Sequence, residues 1–193
     1  LRIADKRTLD DYGEDPLVWP TVAIVVPVYN EGAHILKTAD SFQMLDYPAD
    51  KLQVVFIDDQ STDDTFSHLL TIAKTYPWMK VIQNEHNVGK RIGIKNAVLK
   101  TYSDLIMSVD SDVIVDRGAL RALVRHMYAA NVDAVGGCVF VSNADDNWLT
   151  RMQAVKYWIG YQFLKNVENA FSHIMCLSGC LTLYKRSALL AVD

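Results

Sequence analysis

The chain has 193 residues, half of them apolar, which is enough for one domain with a sizeable core. Its 19 basic and 23 acidic side chains leave a net charge of −4, which excludes a basic nucleic-acid surface. No apolar run reaches the ~18 residues of a membrane span, no signal peptide is visible, and Cys138, Cys176 and Cys180, lacking a CxxC pair, read as reduced thiols of a cytosolic setting. Residues 1–20 are polar, with Asp10, Asp11, Glu14 and Asp15, and predict a solvated lead-in to a domain over 21–193. Residues 22–28, VAIVVPV, form a near-continuous apolar run, as expected of a strand covered on both faces. Ile35, Leu36, Ala39 and Phe42 then recur at helical spacing. A second strand is predicted over 54–57; Phe66, Leu69, Leu70 and Ala73 mark a second helix, with Ser61 and Asp64 before it in a capping-box pattern. Residues 81–82 predict a short strand, Ile94, Ala97 and Val98 a helix, and 105–109 a strand. Leu120, Leu123, Val124 and Met127 predict another helix, and 134–141 another strand. This alternation predicts βαβ units, hence an α/β domain on a mostly parallel sheet.

In such a sheet ligands sit beyond the carboxyl ends of the strands. The first strand runs into PVYNEG (27–32), the second into DDQSTDD (58–64), the third into NEHNVGKR (84–91) and the fourth into DSD (110–112). So many acids at one rim repel one another unless a cation or a set of donors joins them. A hard divalent ion meets that need, and oxygen ligands suit magnesium or manganese held by few carboxylates together with substrate phosphates. Lys90 and Arg91 then match the remaining phosphate charge. Taken singly, each motif has a plainer reading. A lone D-x-D can be a turn, Asp58 and Asp59 can cap the next helix, Lys90 and Arg91 can be a surface pair, and any one of the five histidines can be structural. The order of the motifs, each at a predicted strand end, is what points to a site.

Together VAIVVPVYNEG, VVFIDDQSTDDT, NVGKR, LIMSVDSDVIVD and CLSGCLTLYKRSAL resemble the family 2 glycosyltransferases of the GT-A fold, over roughly residues 20–190. NVGKR, LSGCLTLYKR and VFVSNADDNWLTRMQ look most like the membrane-embedded, processive hyaluronan and chitin synthases, including the rhizobial chitin-oligosaccharide synthases. The resemblance implies a UDP-sugar donor, a saccharide acceptor and Mg2+ or Mn2+. It places Pro27, Tyr29, Asn30 and Glu31 along the nucleotide, Asp58 and Asp59 at the uracil, and Lys90, with Arg91 beside it, at the diphosphate or donor pocket. Asp110 and Ser111 would face the ribose and diphosphate, with Asp112 the direct metal ligand and Asp110 beside it. Ser178, Gly179 and Cys180 would line the acceptor site, although many relatives carry proline at the position of Cys180. A helix over about 148–163 would run below the site; by itself it reads as an ordinary core helix, with Met152, Val155, Trp158 and Ile159 on one side.

The implied reaction inverts configuration at the anomeric carbon, with a carboxylate as base for the acceptor hydroxyl. The expected Gln-x-x-Arg-Trp segment, the base before it and the flanking membrane helices are not found. The base and that segment are expected beyond Asp193, so the chain reads as an excerpt of a longer synthase working at the cytoplasmic face of the membrane. N-acetylglucosamine is the sugar this branch favours, with glucose and glucuronic acid open. A soluble, non-processive family 2 transferase is the alternative. A receiver-type signalling module is the alternative of another class; against it, the acid pair follows strand two and a second D-x-D appears. A dinucleotide-binding dehydrogenase lacks support because no G-x-G-x-x-G follows strand one.

Overall fold

The computed structural model describes residues 14–171 and 174–192. Asp10 and Asp11 of the acidic lead-in lie outside the described residues, and so does Asp193, the residue beyond which the base is expected. In chain order the elements are β1 (Val22–Val28), α1 (His34–Gln43), a 3₁₀ turn (Ala49–Lys51), β2 (Leu52–Asp58), α2 (Thr65–Thr75), β3 (Met79–Gln83), α3 (Lys90–Lys100), β4 (Leu105–Val109) and α4 (Ala119–Ala130). There follow β5 (Ala134–Gly136), α5 (Trp148–Tyr157), a π-helical stretch (Trp158–Leu164), α6 (Lys165–Ala170), β6 (Leu181–Lys185) and α7 (Arg186–Ala191).

The six strands form one sheet in the order β3-β2-β1-β4-β6-β5. β1 pairs in parallel with β2 and β4, and β2 with β3. β6 runs antiparallel between β4 and β5. Both faces are covered, which explains the unbroken apolar runs. Val22, Ile24 and Val26 of β1 pack with Phe42, Phe56, Leu69 and Leu120 on one face. Ala23 and Val25 pack with Ile57, Ala97 and Val98 on the other. Each large aliphatic side chain so buried contributes about 1.5–3 kcal/mol. Beyond β1 the chain steps outward to β2 and β3, then crosses back to β4. The ends of β1 and β4 therefore flank the point where strand order reverses, the place where such sheets bind ligands.

Three expectations are corrected. The strand predicted over 134–141 is confined to Ala134–Gly136. At Gly137 a Cβ would lie 2.4 Å from Leu181 Cδ2, so the glycine permits a close pass over β6 as the chain leaves the ladder. The capping box does not form: Asp64 stands before α2 without a side-chain cap, because Ser61 turns instead to Asp58 and Asn30. The helix after residue 147 is not a core helix. It starts at a capping box made by Asn147 and Thr150, and none of α5, the π-helical stretch or α6 contains a buried residue. Met152, Val155, Trp158, Ile159 and Phe163 all stand more than 40% exposed.

The described end of the lead-in is tied to α4 by ion pairs. Asp15 pairs with Arg121 and Arg125 of α4, Arg121 also binds Asp46 at 2.9 Å, and its guanidinium stacks on Trp19 at 5.2 Å. Among the described residues no helix is long and apolar enough to cross a membrane.

Candidate active site

The first loop, 29–32, is knitted to the second, 59–65. Asn30 adopts φ 53°, and its side chain exchanges hydrogen bonds with Thr62: the Thr62 amide donates to Oδ1 at 2.8 Å and Nδ2 donates to Thr62 Oγ1 at 3.2 Å. The amides of Glu31 and Gly32 both donate to Thr65 Oγ1, at 2.9 and 2.8 Å. Gly32 has φ 53°, a left-handed conformation in which glycine is unstrained. Thr65 is fully buried at the start of α2, so the loop is hung from a helix terminus that cannot move away.

The acid pair after β2 divides. Asp58 is fully buried, accepting from Ser61 Oγ at 2.5 Å and from Gln83 Nε2 at 2.8 Å, and so anchors its own turn. Asp59, 6% exposed, reaches the third loop: Asn84 Nδ2 and the Val88 amide donate to Oδ1 at 2.9 Å each, and the Gly89 amide to Oδ2 at 2.8 Å. Burial pushes its carboxyl up, but the Val88 amide, the Asn84 side chain and the Gly89 amide outweigh it and hold Asp59 below the usual carboxylate range. Both carboxylates thus serve first as internal acceptors that shape the rim.

The fourth edge carries the remaining acids. Ser111 is 8% exposed; its hydroxyl donates to Glu31 Oε1 and its carbonyl accepts from Thr38 Oγ1, both at 2.7 Å. That serine therefore ties the D-x-D turn to the first loop. Asp110 is half-buried and paired with Lys90, while Asp112 projects to the exterior. The Asp110 amide donates to the Cys180 carbonyl at 3.1 Å, which brings Ser178, Gly179 and Cys180 to the same rim. Ser178 Oγ lies 2.7 Å from the hydroxyl of Tyr161, whose burial raises its phenol. Tyr29 is 48% exposed and Arg91 is exposed at the start of α3. The rim thus gathers the nominated residues at one end of the sheet, with Asp58, Asp59 and Ser111 buried in it.

Thr65 and Asn84 lie inside the quoted motifs without being nominated, and Thr38 of α1 lies outside them, although the three hold three of the four loops. A hydroxyl or amide at a strand end reads as turn chemistry until its partner is known.

Among the described residues no three His, Cys, Asp or Glu side chains form a metal cage. Asp110 and Asp112 still fit magnesium or manganese, which bind through one or two carboxylates and complete their shell with water and phosphate. Asp58 and Asp59 are committed elsewhere and are not available as ligands.

A parallel α/β sheet with an antiparallel partner beside β4 and D-x-D at the switch point is the GT-A arrangement of glycosyltransferases. The family model for glycosyl transferase family 2 matches residues 23–192. Two relatives named N-acetylglucosaminyltransferase, from Bradyrhizobium diazoefficiens and Rhizobium sp. (strain N33), are each 33% identical, over 96% and 91% of this chain. The structure superimposes on a mannosyltransferase of Pyrobaculum calidifontis, PcManGT, in complex with GDP-Man and Mn2+, with a TM-score of 0.76, 25% identity, and coverage of 96% of this chain and 52% of that one. S. aureus TarS in complex with UDP-GlcNAc gives a TM-score of 0.54 at 27% identity over 60% of this chain and 33% of that one. This chain belongs to glycosyl transferase family 2, and the receiver-module alternative falls. It spans 39% of the length of the two curated relatives.

Proposed function

We propose that the chain is the donor-binding part of a membrane polysaccharide synthase of the hyaluronan and chitin synthase type, which transfers N-acetylglucosamine from its UDP conjugate to a saccharide at the cytoplasmic face. The observation that carries the donor reading is the juxtaposition of Lys90, Asp110 and exposed Asp112 at the switch point. The 33% identical N-acetylglucosaminyltransferases and the UDP-GlcNAc complex of TarS support the choice of sugar.

In this reading Tyr29, Asn30 and Glu31 border the nucleoside, and the loop held by Asp59 carries Lys90 and Arg91 to the diphosphate. Asp110 and Asp112 would hold the divalent ion, which would stabilise charge on the leaving diphosphate. Lys90 supplies a further positive charge to the same leaving group. Ser178, its hydroxyl held by Tyr161, and Gly179 border the side from which the acceptor hydroxyl attacks. The base for that hydroxyl belongs, in the same reading, to a part of the synthase beyond Asp193.

Calorimetry with UDP tests the reading: binding is expected to be tighter with manganese than with chelator. Asp112→Asn is expected to remove the metal effect with unchanged thermal melting, since the side chain is exposed and packs no core. Equal UDP affinity with and without metal would remove the ion from this site, and a large loss of stability in the variant would make Asp112 structural.

A further inference from the structure

Lys90 does not stand apart from the carboxylates. Its ammonium contacts one oxygen of Asp110 and also donates to the Gly179 carbonyl at 3.3 Å. Because the Asp110 amide donates to the Cys180 carbonyl, one cation on the first turn of α3 links the end of β4 to the segment leading into β6. The pair is open to an incoming ligand, with 47% of the Lys90 side chain and 27% of the Asp110 side chain exposed. A partly exposed pair of this kind changes an equilibrium by only about two- to fivefold, so it can be exchanged.

Two cations have a claim on Asp110. A divalent ion brought to this carboxylate meets the ammonium already on it, and the two repel at contact distance. The ion alone must therefore either share the carboxylate with Lys90 against that repulsion or displace it, and both weaken its binding. A diphosphate removes that penalty, because it offers the ammonium a new anion within reach of a flexible four-carbon stem. The amides of Val88 and Gly89 bind Asp59, so the backbone that carries Lys90 is fixed while its head group is free to swing.

We propose that Lys90 is an exchangeable counter-ion: it holds Asp110 before the donor arrives, competes with the divalent ion for that carboxylate, and passes to the diphosphate on donor binding, letting go of the Gly179 carbonyl. This deepens the donor-site reading and rests on it. The exchange makes metal and nucleotide binding cooperative beyond their direct contact, and the effect is reciprocal. It also removes one tie on residues 178–180 only once the donor is in place, which orders acceptor-side rearrangement after donor binding.

The test is manganese titration of the chain, with free Mn2+ followed by electron paramagnetic resonance, with and without UDP. Without UDP, Lys90→Met is expected to bind manganese about two- to fivefold more tightly than the unaltered chain, because the competitor is gone. With UDP it is expected to bind the nucleotide more weakly, so the factor by which UDP raises manganese affinity shrinks. Lys90→Arg keeps the charge and is expected to keep the cooperativity. The Lys90 side chain is exposed, and Lys90→Gln serves as a second neutral variant if the methionine one melts early. Equal or weaker manganese affinity in the neutral variants without UDP overturns the proposal. So does failure of manganese to bind either form at millimolar concentration. If UDP fails to bind the unaltered chain while the neutral variants still bind manganese more tightly, the exchange at Asp110 stands and the nucleotide reading falls.

Discussion

Adjacent residues of one type can carry different tasks, and Asp58 and Asp59 show how burial and partners decide. Asp58 closes its own turn through Ser61 and Gln83, whereas Asp59 spans 25 to 30 residues of sequence to hold Asn84, Val88 and Gly89. Asp59→Asn keeps one acceptor oxygen but turns an NH2 toward a backbone donor, a mismatch that costs about 1–3 kcal/mol. Because the folded carboxyl sits below the usual range, its stabilisation is complete above the unfolded value of about 3.9 and fades as pH falls through the folded value. Urea unfolding is expected to separate variant from parent at about pH 7 and to bring them closer at about pH 3. A gap that persists undiminished in acid would mean that the charge of Asp59 is not what holds the loop. Nucleotide binding is expected to weaken alongside, since the same loop carries Lys90.

Among the elements, helix starts do more for this site than strand ends alone. α2 begins at Thr65, whose single hydroxyl oxygen accepts the amides of Glu31 and Gly32. Thr65→Val keeps shape and volume but leaves two donors without an acceptor in a part-buried loop. The expected loss is about 1–3 kcal/mol, with faster amide hydrogen exchange at Glu31 and Gly32 and little change within β1. Unchanged exchange at those two amides would show that the Asn30–Thr62 pair alone sets the loop. The stretch from α5 to α6 behaves in the opposite way. It is well capped at Asn147, yet its apolar side chains Met152, Val155, Ile159 and Phe163 face outward. Apolar spacing said helix and the backbone obeyed; the same spacing said core, and the packing did not follow.

At the scale of the whole molecule, donor binding and transfer have different requirements. In the proposed reading the donor rim lies in loops 27–32, 58–64, 84–91 and 110–112, which hydrogen bonds and an ion pair join. Transfer also needs a base against the acceptor hydroxyl, typically worth ~10²–10⁴ in rate. Of the carboxylates that could serve, Glu168 is paired with Lys165 at 2.7 Å, while Asp145 and Asp146 are exposed before α5. This chain is expected to bind UDP-N-acetylglucosamine with manganese while extending a short chitin oligosaccharide little or not at all, measured by radiolabel incorporation. Efficient extension would place the base within the chain, against its expected place beyond Asp193, and make Asp145→Asn and Asp146→Asn the deciding variants.

Residue patterning alone predicts the parallel strands, the helices between them and the polar clusters at the strand ends. Residues 22–28 and 105–109 could be read because burial on both faces leaves a continuous apolar run, and strand ends could be read because their polar clusters interrupt it. Only the tertiary structure decided which rim residues face outward and which hold the rim together. It bonded Asn30 to Thr62, Glu31 to Ser111 and Lys90 to Asp110, pairs separated by 32, 80 and 20 residues. It also turned 181–185 into an antiparallel strand against β4 and shortened the strand expected over 134–141. Local spacing records whether a segment is buried, because burial acts on each residue in turn. It carries no record of which distant segment does the burying, and that pairing separates the buried carboxylates Asp58 and Asp59 from the more exposed Asp110 and Asp112.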